Sequence, residues 1–432
     1  MPRLQRLRGA ARGALLSPAF VPSCLAGAVA VRLALVLAVD ARPVDDFSWY
    51  WQRALDVSEG LGIVDGGRPT AYWPPGYPFL LGALFRIAGP SLALAQIANI
   101  VFYVLAMLLC LRLARRTAPT EEGARLVLPV LALWPNQAAY AALTATEPLF
   151  LLLMLAGVER TLSAGSRPAD RGGRLAPLAA AGLAFGAATL TRPQAALLPP
   201  VLIAGMALAG RWKTSPGARG AVRAAAECGA ILAVMGLVLL PWTVRNLRVF
   251  GAPVLVANSG GVNLWIGNNA KATGGYRETP IPGAEAAKDE KHRDDLAARA
   301  ARLYIQSHPW RFVSMIPSKA AHLYLKDVEG FYWLEVAMGR GDGAPSGRPL
   351  WVLKLVAQSW WMALLASFAA AMVSWARGRP AAVAGPWAPA GILVIGYFTA
   401  VFVVLFGSSR FHFPFAPLIG IYAAAWLASV LL

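Results

Sequence analysis

The sequence has little charge, little histidine and very little cysteine. Charged residues make up 14% of its 432 residues, and there are 4 histidines and 3 cysteines. Cys24, Cys110 and Cys228 are far apart in or beside apolar stretches, which argues against a disulfide framework or a cysteine-based metal site. The histidines form no HExxH or similar pair, so no histidine metal motif is present.

Long apolar runs dominate instead. Hydrophobic residues make up 57% of the chain, and stretches near the roughly 20 residues that cross a bilayer recur from end to end. This composition predicts an all-α, polytopic membrane protein. Hydropathy predicts about ten membrane helices, at residues 21–39, 91–111, 126–142, 146–162, 175–191, 193–209, 225–243, 350–375, 387–407 and 414–431.

The net charge of +18 is explained by topology, because the basic residues fall mostly between the apolar runs; no nucleic acid is expected. An excess of basic residues on alternate loops predicts both termini in the cytoplasm, with Asp45 and Asp46 outside. The basic residues expected inside are Arg3, Arg6, Arg8, Arg12, Arg112, Arg115, Arg116, Arg125, Arg160, Arg167, Arg171, Arg174, Arg211, Lys213, Arg219, Arg223, Arg377 and Arg379.

Three parts follow from this topology. Residues 1–244 are expected to form a membrane module that contains a first outer loop, 40–90. Residues 245–349 are expected to form a larger outer loop with interfacial helices, and 350–432 the last membrane helices. No small-residue cleavage site precedes Asp45, so 21–39 is expected to be a retained span and not a signal peptide.

The first outer loop contains two adjacent acids followed by aromatic residues. Residues 47–59 are predicted to form an amphipathic interfacial helix, with Phe47, Trp51 and Leu55 on one face. One aspartate could cap this helix. A second carboxylate at the membrane surface is not explained by capping and is available for chemistry.

Pro74, Pro75 and Pro78 of "TAYWPPGYP" stiffen the entry to a short apolar helix. Two interpretations remain open: a rigid loop that returns the chain to the membrane, or a preshaped wall for a ligand at the interface.

These residues resemble the first outer loop of bacterial GT-C glycosyltransferases, which are related to protein O-mannosyltransferases and to the aminoarabinose transferases that act on lipid A. The resemblance rests on Asp46, Tyr50 and Ala54, on "EGLG" (59–62) and on "PTAYWPPGYPFLL" (69–81). Further motifs follow in the same order: "ATEPLF" (145–150), "LTRPQAALL" (190–198), "LPWTVRNLRVFGAPVLVANSGGVNLWIGNN" (240–269) and "SSRFHFPFAPL" (408–418).

The resemblance implies a GT-C bundle that transfers a sugar from a polyprenyl-phosphate donor to a lipid, polysaccharide or protein acceptor outside the membrane. It implies that Asp46 serves the reaction, with Asp45 as the fallback. We expect an inverting mechanism with Asp46 as general base, since direct displacement needs only one carboxylate. Many relatives have a basic residue before the PPGYP-like element, where this chain has Trp73. The phosphate contact expected there is therefore open, and so is whether Arg68 supplies it.

Arginines at the outer ends of spans are candidate ligands of the donor phosphate, because guanidinium groups bind phosphate through a bidentate fork. Each could instead snorkel to the interface. Glu147 could cap a helix or belong to the site, and His412 could bind phosphate or be structural. The donor-site candidates are Tyr50, Tyr72, Arg192, Arg245, Arg410 and His412, with Glu147, Asn246 and Trp73 as further site candidates.

No certain cofactor or metal site is indicated, although a divalent cation (Mg²⁺ or Mn²⁺) near Asp45 and Asp46 is left open. The segment "NSGGVNLWIGNN" (258–269) could cradle an anion with its backbone amides or simply form a loop. A multi-span transporter or flippase of a lipid-linked sugar is the alternative function. The polar groups gather on one side, whereas transporters usually bind at the midplane between repeats. The resemblance places the protein in the bacterial inner membrane.

Overall fold

The computed structural model describes residues 2–165, 171–210, 218–340, 348–378, 383 and 387–432. Among the basic residues predicted to be cytoplasmic, Arg167, Arg211, Lys213 and Arg379 lie outside the described residues, as do the side chains of Arg3 and Arg171.

Almost all regular structure is helical. In the first half of the chain the α-helices are α1 (Pro2–Leu16), α2 (Phe20–Ala38), α3 (Asp45–Ser58), α4 (Gly76–Ala88), α5 (Leu92–Ala114), α6 (Glu121–Arg125), α7 (Val127–Ala132), α8 (Pro135–Ala139), α9 (Glu147–Gly165), α10 (Arg171–Thr191) and α11 (Leu198–Leu208). In the second half they are α12 (Ala218–Phe250), α13 (Gly260–Gly267), α14 (Glu290–Ser307), α15 (Pro309–Tyr324), α16 (Glu329–Ala337), α17 (Arg348–Ala376), α18 (Ala388–Val404) and α19 (Ala416–Leu431).

Short 3₁₀ helices and one hairpin complete the described structure. The 3₁₀ turns are Tyr140–Ala142, Pro193–Ala195, Ala284–Ala286 and Ser409–His412. Strands β1 (Val64–Asp65) and β2 (Arg68–Pro69) pair antiparallel. Gly66 and Gly67 connect them with φ of 53° and 75°, the left-handed values that a tight hairpin turn needs at both central positions.

The protein is a multi-pass membrane protein. In the described residues six helices are long and apolar enough to cross a bilayer: Phe20–Ala38, Leu92–Ala114, Glu147–Gly165, Gly173–Thr191, Arg219–Phe250 and Leu350–Ala376. Each corresponds to a predicted span. The predicted spans 193–209, 387–407 and 414–431 correspond to the shorter apolar helices Pro193–Leu208, Ala388–Val404 and Ala416–Leu431.

The prediction of one helix over residues 126–142 is wrong. The chain breaks between α7 and α8, where Pro135 begins a new helix and cannot donate an amide hydrogen to the preceding turn. Arg32, buried within α2, donates to the carbonyl oxygens of Leu131 at 3.4 Å and Ala132 at 3.1 Å. The Tyr103 hydroxyl donates to Leu131 O at 3.1 Å. The broken helix thus has its buried carbonyl groups satisfied by neighbouring helices.

The predicted interfacial helix 47–59 is present as α3, which begins two residues earlier, at Asp45, and ends one residue earlier, at Ser58. Phe47, Tyr50 and Ala54 are buried, whereas Trp51 and Leu55 are only partly buried. Helix α4 packs against α3 so closely that a Cβ added to Gly82 would lie 2.6 Å from Val57 Cγ1. This pair of helices forms the body of the first outer loop.

Contacts place the start and end of the chain at the same end of the bundle. Arg12 Nη2 donates to Leu432 O at 2.7 Å, and Arg8 Nη2 to Val430 O at 3.3 Å. Arg125 Nη1 donates to Leu15 O at 2.9 Å. Helix α2 begins beside this end, and the first outer loop follows its other end.

Candidate active site

Asp46, Glu147, Arg192 and Arg410 form one connected network. Arg410 donates from Nη1 to Asp46 Oδ2 at 2.6 Å and from Nε to Glu147 Oε1. Arg192 donates from Nη2 to the same Glu147 oxygen. All four side chains are at most 18% exposed. The network contains two carboxylates and two guanidinium groups, so its formal charges cancel.

Four separate parts of the chain bring these residues together, one of them being the end of α10, which Arg192 follows directly. Asp46 lies in the first turn of α3, and Glu147 is the first residue of α9. Thr144, just before α9, donates from Oγ1 to Phe47 O at 2.9 Å, which ties the two helix starts together. Arg410 lies in the 3₁₀ turn that precedes α19.

Asp45 carries the local backbone strain. Its φ is +48°, the left-handed region, and within the described residues no other non-glycine residue has a positive φ. Such a conformation costs about 1–2 kcal/mol for most L-residues, although aspartate tolerates it better than others. The Asp45 side chain is exposed, whereas Asp46 reaches Arg410. The structure thus separates the two adjacent acids.

Glu147 is buried completely and serves as the centre of the network. Its Oε1 accepts from both guanidinium groups, and its Oε2 accepts from Thr146 Oγ1 at 3.4 Å. Thr146 Oγ1 also accepts from Arg192 Nε at 3.0 Å. A buried charge is tolerated only when it is paired and hydrogen-bonded, and both conditions hold here.

Asp46 uses only one of its carboxylate oxygens. Oδ2 accepts from Arg410, whereas Oδ1 is buried without a hydrogen-bond partner among the described residues. Burial raises the pKa of Asp46 above its ordinary value; Arg410 opposes this rise, and the negative charges of Glu147 and Asp45 add to it. Desolvation is thus the largest influence on the pKa of this carboxylate.

Aromatic side chains line one side of Asp46. Tyr50 is 5% exposed, and its ring lies 6.0 Å from that of Trp73 and 6.2 Å from that of Tyr77. Trp73 also contacts Trp49 at 5.3 Å and Tyr72 at 5.0 Å. Burial raises the pKa of Tyr50, and the charge of Asp46 adds to that rise. Tyr50 and Trp73 thus lie in one aromatic cluster beside the network.

The proline-rich segment packs next to Arg192. A Cβ added to Gly76, at the start of α4, would lie 2.7 Å from Thr191 Oγ1 and 2.8 Å from Leu190 C. The first outer loop therefore touches the end of α10, one residue before Arg192, through a position where only glycine fits. Arg68 was considered as a replacement for the basic residue that many relatives have at the position of Trp73. Its side chain is exposed on β2.

The contacts of Arg245 lie with the backbone of the first outer loop. Arg245 donates to Ile63 O at 2.9 Å and to Thr70 O at 3.0 Å, and its guanidinium lies 4.6 Å from the Trp242 ring centre. Asn246 accepts from Arg245 at 2.9 Å and donates to Val254 O at 3.1 Å. No contact in the described chain joins Arg245 to the carboxylates of the network. Its donors satisfy backbone carbonyls, so Arg245 holds the first outer loop against α12.

His412, for which phosphate binding and a structural role were both open, has its partners within the protein. His412 is 1% exposed and stacks on Trp361 at 4.4 Å. Its Nδ1 lies 2.6 Å from Leu323 O and its Nε2 lies 2.9 Å from Asp327 Oδ1. Its two ring nitrogens thus face a backbone carbonyl oxygen and a carboxylate oxygen of the protein. The ring is fully used in fixing the turn that carries Arg410.

Two buried residues near the candidate active site, Asp327 and Tyr140, were not identified from the sequence. Asp327 accepts from Trp134 Nε1 at 2.6 Å as well as from His412. Tyr140 is fully buried, and its hydroxyl has no hydrogen-bond partner among the described residues. Tyr140 lay in a presumed membrane span and Asp327 in a loop of no recognisable motif, so neither gave a local signal.

Glu290, the first residue of α14, fixes the first outer loop. Its carboxylate accepts from Thr70 Oγ1 at 2.7 Å, from Ala71 N at 2.5 Å and from Asn258 Nδ2 at 3.1 Å. In the neighbouring glycine-rich segment, Asp294 Oδ1 accepts from Val262 N at 2.9 Å. A carboxylate of the protein thus occupies an amide that an external anion would need.

Comparison with known proteins gave one family match. Residues 73–240 match the family model described as dolichyl-phosphate-mannose-protein mannosyltransferase. None of the curated proteins compared with the chain matches it.

Solved structures of an archaeal oligosaccharyltransferase have a similar fold. The apo oligosaccharyltransferase of Archaeoglobus fulgidus superposes with a TM-score of 0.57 at 14% identity, over 96% of this chain and 51% of that chain. The same enzyme, AglB, with an inhibitory peptide and a dolichol-phosphate gives 0.56 at 14% identity, over 95% and 50%. Its complex with Zn and sulfate gives 0.56 at 16% identity, over 94% and 49%.

ArnT from Cupriavidus metallidurans bound to undecaprenyl phosphate gives a TM-score of 0.47 at 16% identity, over 94% of this chain and 78% of that chain. The chain spans about half the length of the archaeal oligosaccharyltransferase.

Proposed function

We propose, from the premise that this chain has the GT-C fold of membrane glycosyltransferases, that it transfers a sugar from a polyprenyl-phosphate donor to an acceptor at the extracytoplasmic surface. The observation that carries the proposal is the Asp46 carboxylate, which is mostly buried and lies in one network with Arg192 and Arg410. A polyprenyl-phosphate donor is supported by the family match and by the dolichol-phosphate bound to the archaeal enzyme.

Asp46 is the proposed general base. A base must accept a proton from the acceptor's hydroxyl or amine as the new bond forms, and its efficiency increases when its pKa lies closer to the working pH. Burial raises the pKa of Asp46, and its Oδ1 has no partner among the described residues. That oxygen is the proposed proton acceptor, while Arg410 holds Oδ2.

An inverting mechanism agrees with the geometry. Retention usually requires a second carboxylate as nucleophile, and the buried acid next to Asp46 is Glu147. Both of its oxygens are engaged, Oε1 by two guanidinium groups and Oε2 by Thr146. Glu147 is therefore assigned to positioning the arginines, and the acceptor attacks the sugar directly.

Arg192 and Arg410 are the proposed ligands of the donor phosphate. A guanidinium group has five N–H donors, and the contacts of Arg192 use Nε and Nη2 whereas those of Arg410 use Nε and Nη1. The remaining nitrogen of each side chain can donate to phosphate oxygens. As the sugar leaves, the phosphate gains negative charge, which fixed cations stabilise more strongly than they stabilise the bound donor.

The proposed setting is the bacterial inner membrane, with both termini in the cytoplasm and Asp46 outside. This orientation is supported by the excess of basic residues at the end where α1 and α19 meet. We retain the three parts 1–244, 245–349 and 350–432 as proposals, and assign acceptor capture to the middle part, whose Glu290 contacts Thr70 and Ala71.

The decisive experiment compares cell-envelope glycoconjugates, by mass spectrometry, from cells with the wild-type protein and with Asp46→Asn. Asp56→Asn is a matched control, because Asp56 lies on the same helix, is 20% exposed and pairs with Arg53 at 2.7 Å outside the network. We expect one glycoconjugate to disappear in Asp46→Asn and to persist in Asp56→Asn. A full product level from folded Asp46→Asn protein would refute the role of Asp46. Lipid-linked sugar turnover by purified wild-type protein that is lost in Asp46→Asn would exclude transport as the sole function.

A further inference from the structure

The carboxylates of the candidate active site invite the question whether a divalent cation binds there. Mg²⁺ demands near-octahedral oxygen ligands at about 2.0–2.1 Å and is usually held by one or two carboxylates together with substrate phosphate. Within the described ranges of the chain, no group of three or more histidine, cysteine, aspartate or glutamate residues could hold a metal ion. The acids of the candidate active site that could still contact a metal ion are Asp45, Asp46 and Glu147.

Asp46 is a poor metal ligand because the guanidinium group of Arg410 already lies against its carboxylate. Arg410 Nη1 is 2.6 Å from Oδ2, and a metal ion bound to that oxygen would lie next to the guanidinium group, whose charge repels it. This leaves Oδ1 as the one oxygen of Asp46 without a hydrogen-bond partner among the described residues.

Glu147 is even less available. Arg192 and Arg410 both donate to its Oε1, Thr146 donates to its Oε2, and the side chain is fully buried. A metal ion would have to displace at least one of these donors and would leave a buried guanidinium without its partner, which is strongly unfavourable. Asp45 is exposed and alone supplies too few oxygens.

The net charge of the site also argues against a bound metal ion. Two carboxylates and two guanidinium groups cancel before substrate binds. A polyprenyl phosphate sugar brings one negative charge as a phosphodiester, and its leaving group develops a second. Arg192 and Arg410 can stabilise this charge with their remaining N–H donors. A metal ion stabilises the same charge in other phosphate-transfer sites.

We infer that Arg410, with Arg192, occupies the place of a divalent cation beside Asp46, and that sugar transfer by this chain needs no metal ion. The inference rests on the proposed glycosyl transfer for its second half only. Its first half, that Asp46 binds Arg410 and not a metal ion, concerns the protein alone and can be tested separately.

The first test measures Mn²⁺ bound to the detergent-solubilised full chain by electron paramagnetic resonance, with and without undecaprenyl phosphate. Wild type is compared with Asp46→Asn and with the matched control Asp56→Asn, each checked for folding by gel filtration. We expect all three proteins to bind the same amount of Mn²⁺. One Mn²⁺ ion present in wild type and in Asp56→Asn but lost in Asp46→Asn would overturn the inference.

The second test measures transfer by purified wild-type protein after EDTA treatment and after addition of Mg²⁺ or Mn²⁺. We expect equal rates under all of these conditions. A rate that EDTA abolishes and that either metal restores would overturn the inference. If no transfer occurs under any condition, the proposed function has failed, and the Mn²⁺ comparison still decides whether Asp46 is a metal ligand.

Discussion

Arg410 Nη1 lies 2.6 Å from Asp46 Oδ2, across 364 positions of sequence. The same guanidinium group also donates from Nε to Glu147. One planar side chain thus holds the proposed base and the buried acid at a fixed distance from each other. Only arginine can do this, because lysine presents a single ammonium group on a flexible stem.

We expect Arg410→Lys to lower the transfer rate by about 100-fold or more, the scale of removing one preorganised donor from an active site. Lysine keeps the charge but cannot contact Asp46 and Glu147 with two separate nitrogens while also binding phosphate. The measurement is kcat and KM of the purified variant. Arg53→Lys is the control, since Arg53 pairs with Asp56 and Asp65 outside the network. Equal losses in both variants would show a general effect on α3.

Glu147→Gln should destabilise the fold by about 3–5 kcal/mol, because removing one partner of a buried ion pair leaves the other charges uncompensated. Here two guanidinium groups lose their shared acceptor. Thermal unfolding in detergent provides the measurement. Glu121→Gln is the contrast, because the Glu121 side chain is 35% exposed and exposed ion pairs contribute about 0–1 kcal/mol. A Glu147→Gln protein as stable as wild type would contradict the assigned role.

The pH dependence of transfer should reveal Asp46. Only the ionised carboxylate can accept a proton, so the rate should fall as pH decreases through the pKa of Asp46. Burial raises that pKa, so this fall should begin at a higher pH than for an ordinary aspartate, whose pKa is about 3.9.

Asp45→Asn should shift the acidic limb of this profile to lower pH, because the charge of Asp45 contributes to raising the pKa of Asp46. The variant should remain active, and the measurement is the pH profile of kcat/KM. Loss of all activity would instead favour Asp45 as the base, and an acidic limb at or above the wild-type pH would contradict the assignment of that limb to Asp46.

Gly76→Ala should destabilise the protein by about 1–3 kcal/mol, the usual cost of adding a methyl group to a tightly packed position. The new Cβ would lie 2.7 Å from Thr191 Oγ1 and 2.8 Å from backbone atoms of α10. Gly236→Ala is the matched control, because nothing lies within 4 Å of its Cβ position. Thermal unfolding should separate the two variants; equal stability would mean that the loop and α10 do not pack as closely as described.

Local patterns in the sequence determined the membrane character, the positions of most spans and the helix that follows the two aspartates. Hydropathy and amphipathic spacing are properties of neighbouring residues, so these features could be predicted without knowledge of the rest of the fold. The span 126–142 was wrong because hydropathy does not register a break at Pro135 when the freed carbonyl groups are satisfied by Arg32 and Tyr103.

The sequence by itself named Asp46, Glu147, Arg192 and Arg410 as candidates, but it also named Arg245 and His412. Only the tertiary structure separated them, by giving Arg245 the backbone carbonyls of the first outer loop and His412 the carboxylate of Asp327. An arginine at the end of a span has the same local signature whether it meets a carboxylate, a carbonyl group or lipid. Its partner is decided by which distant segments pack beside it, and that depends on the whole chain.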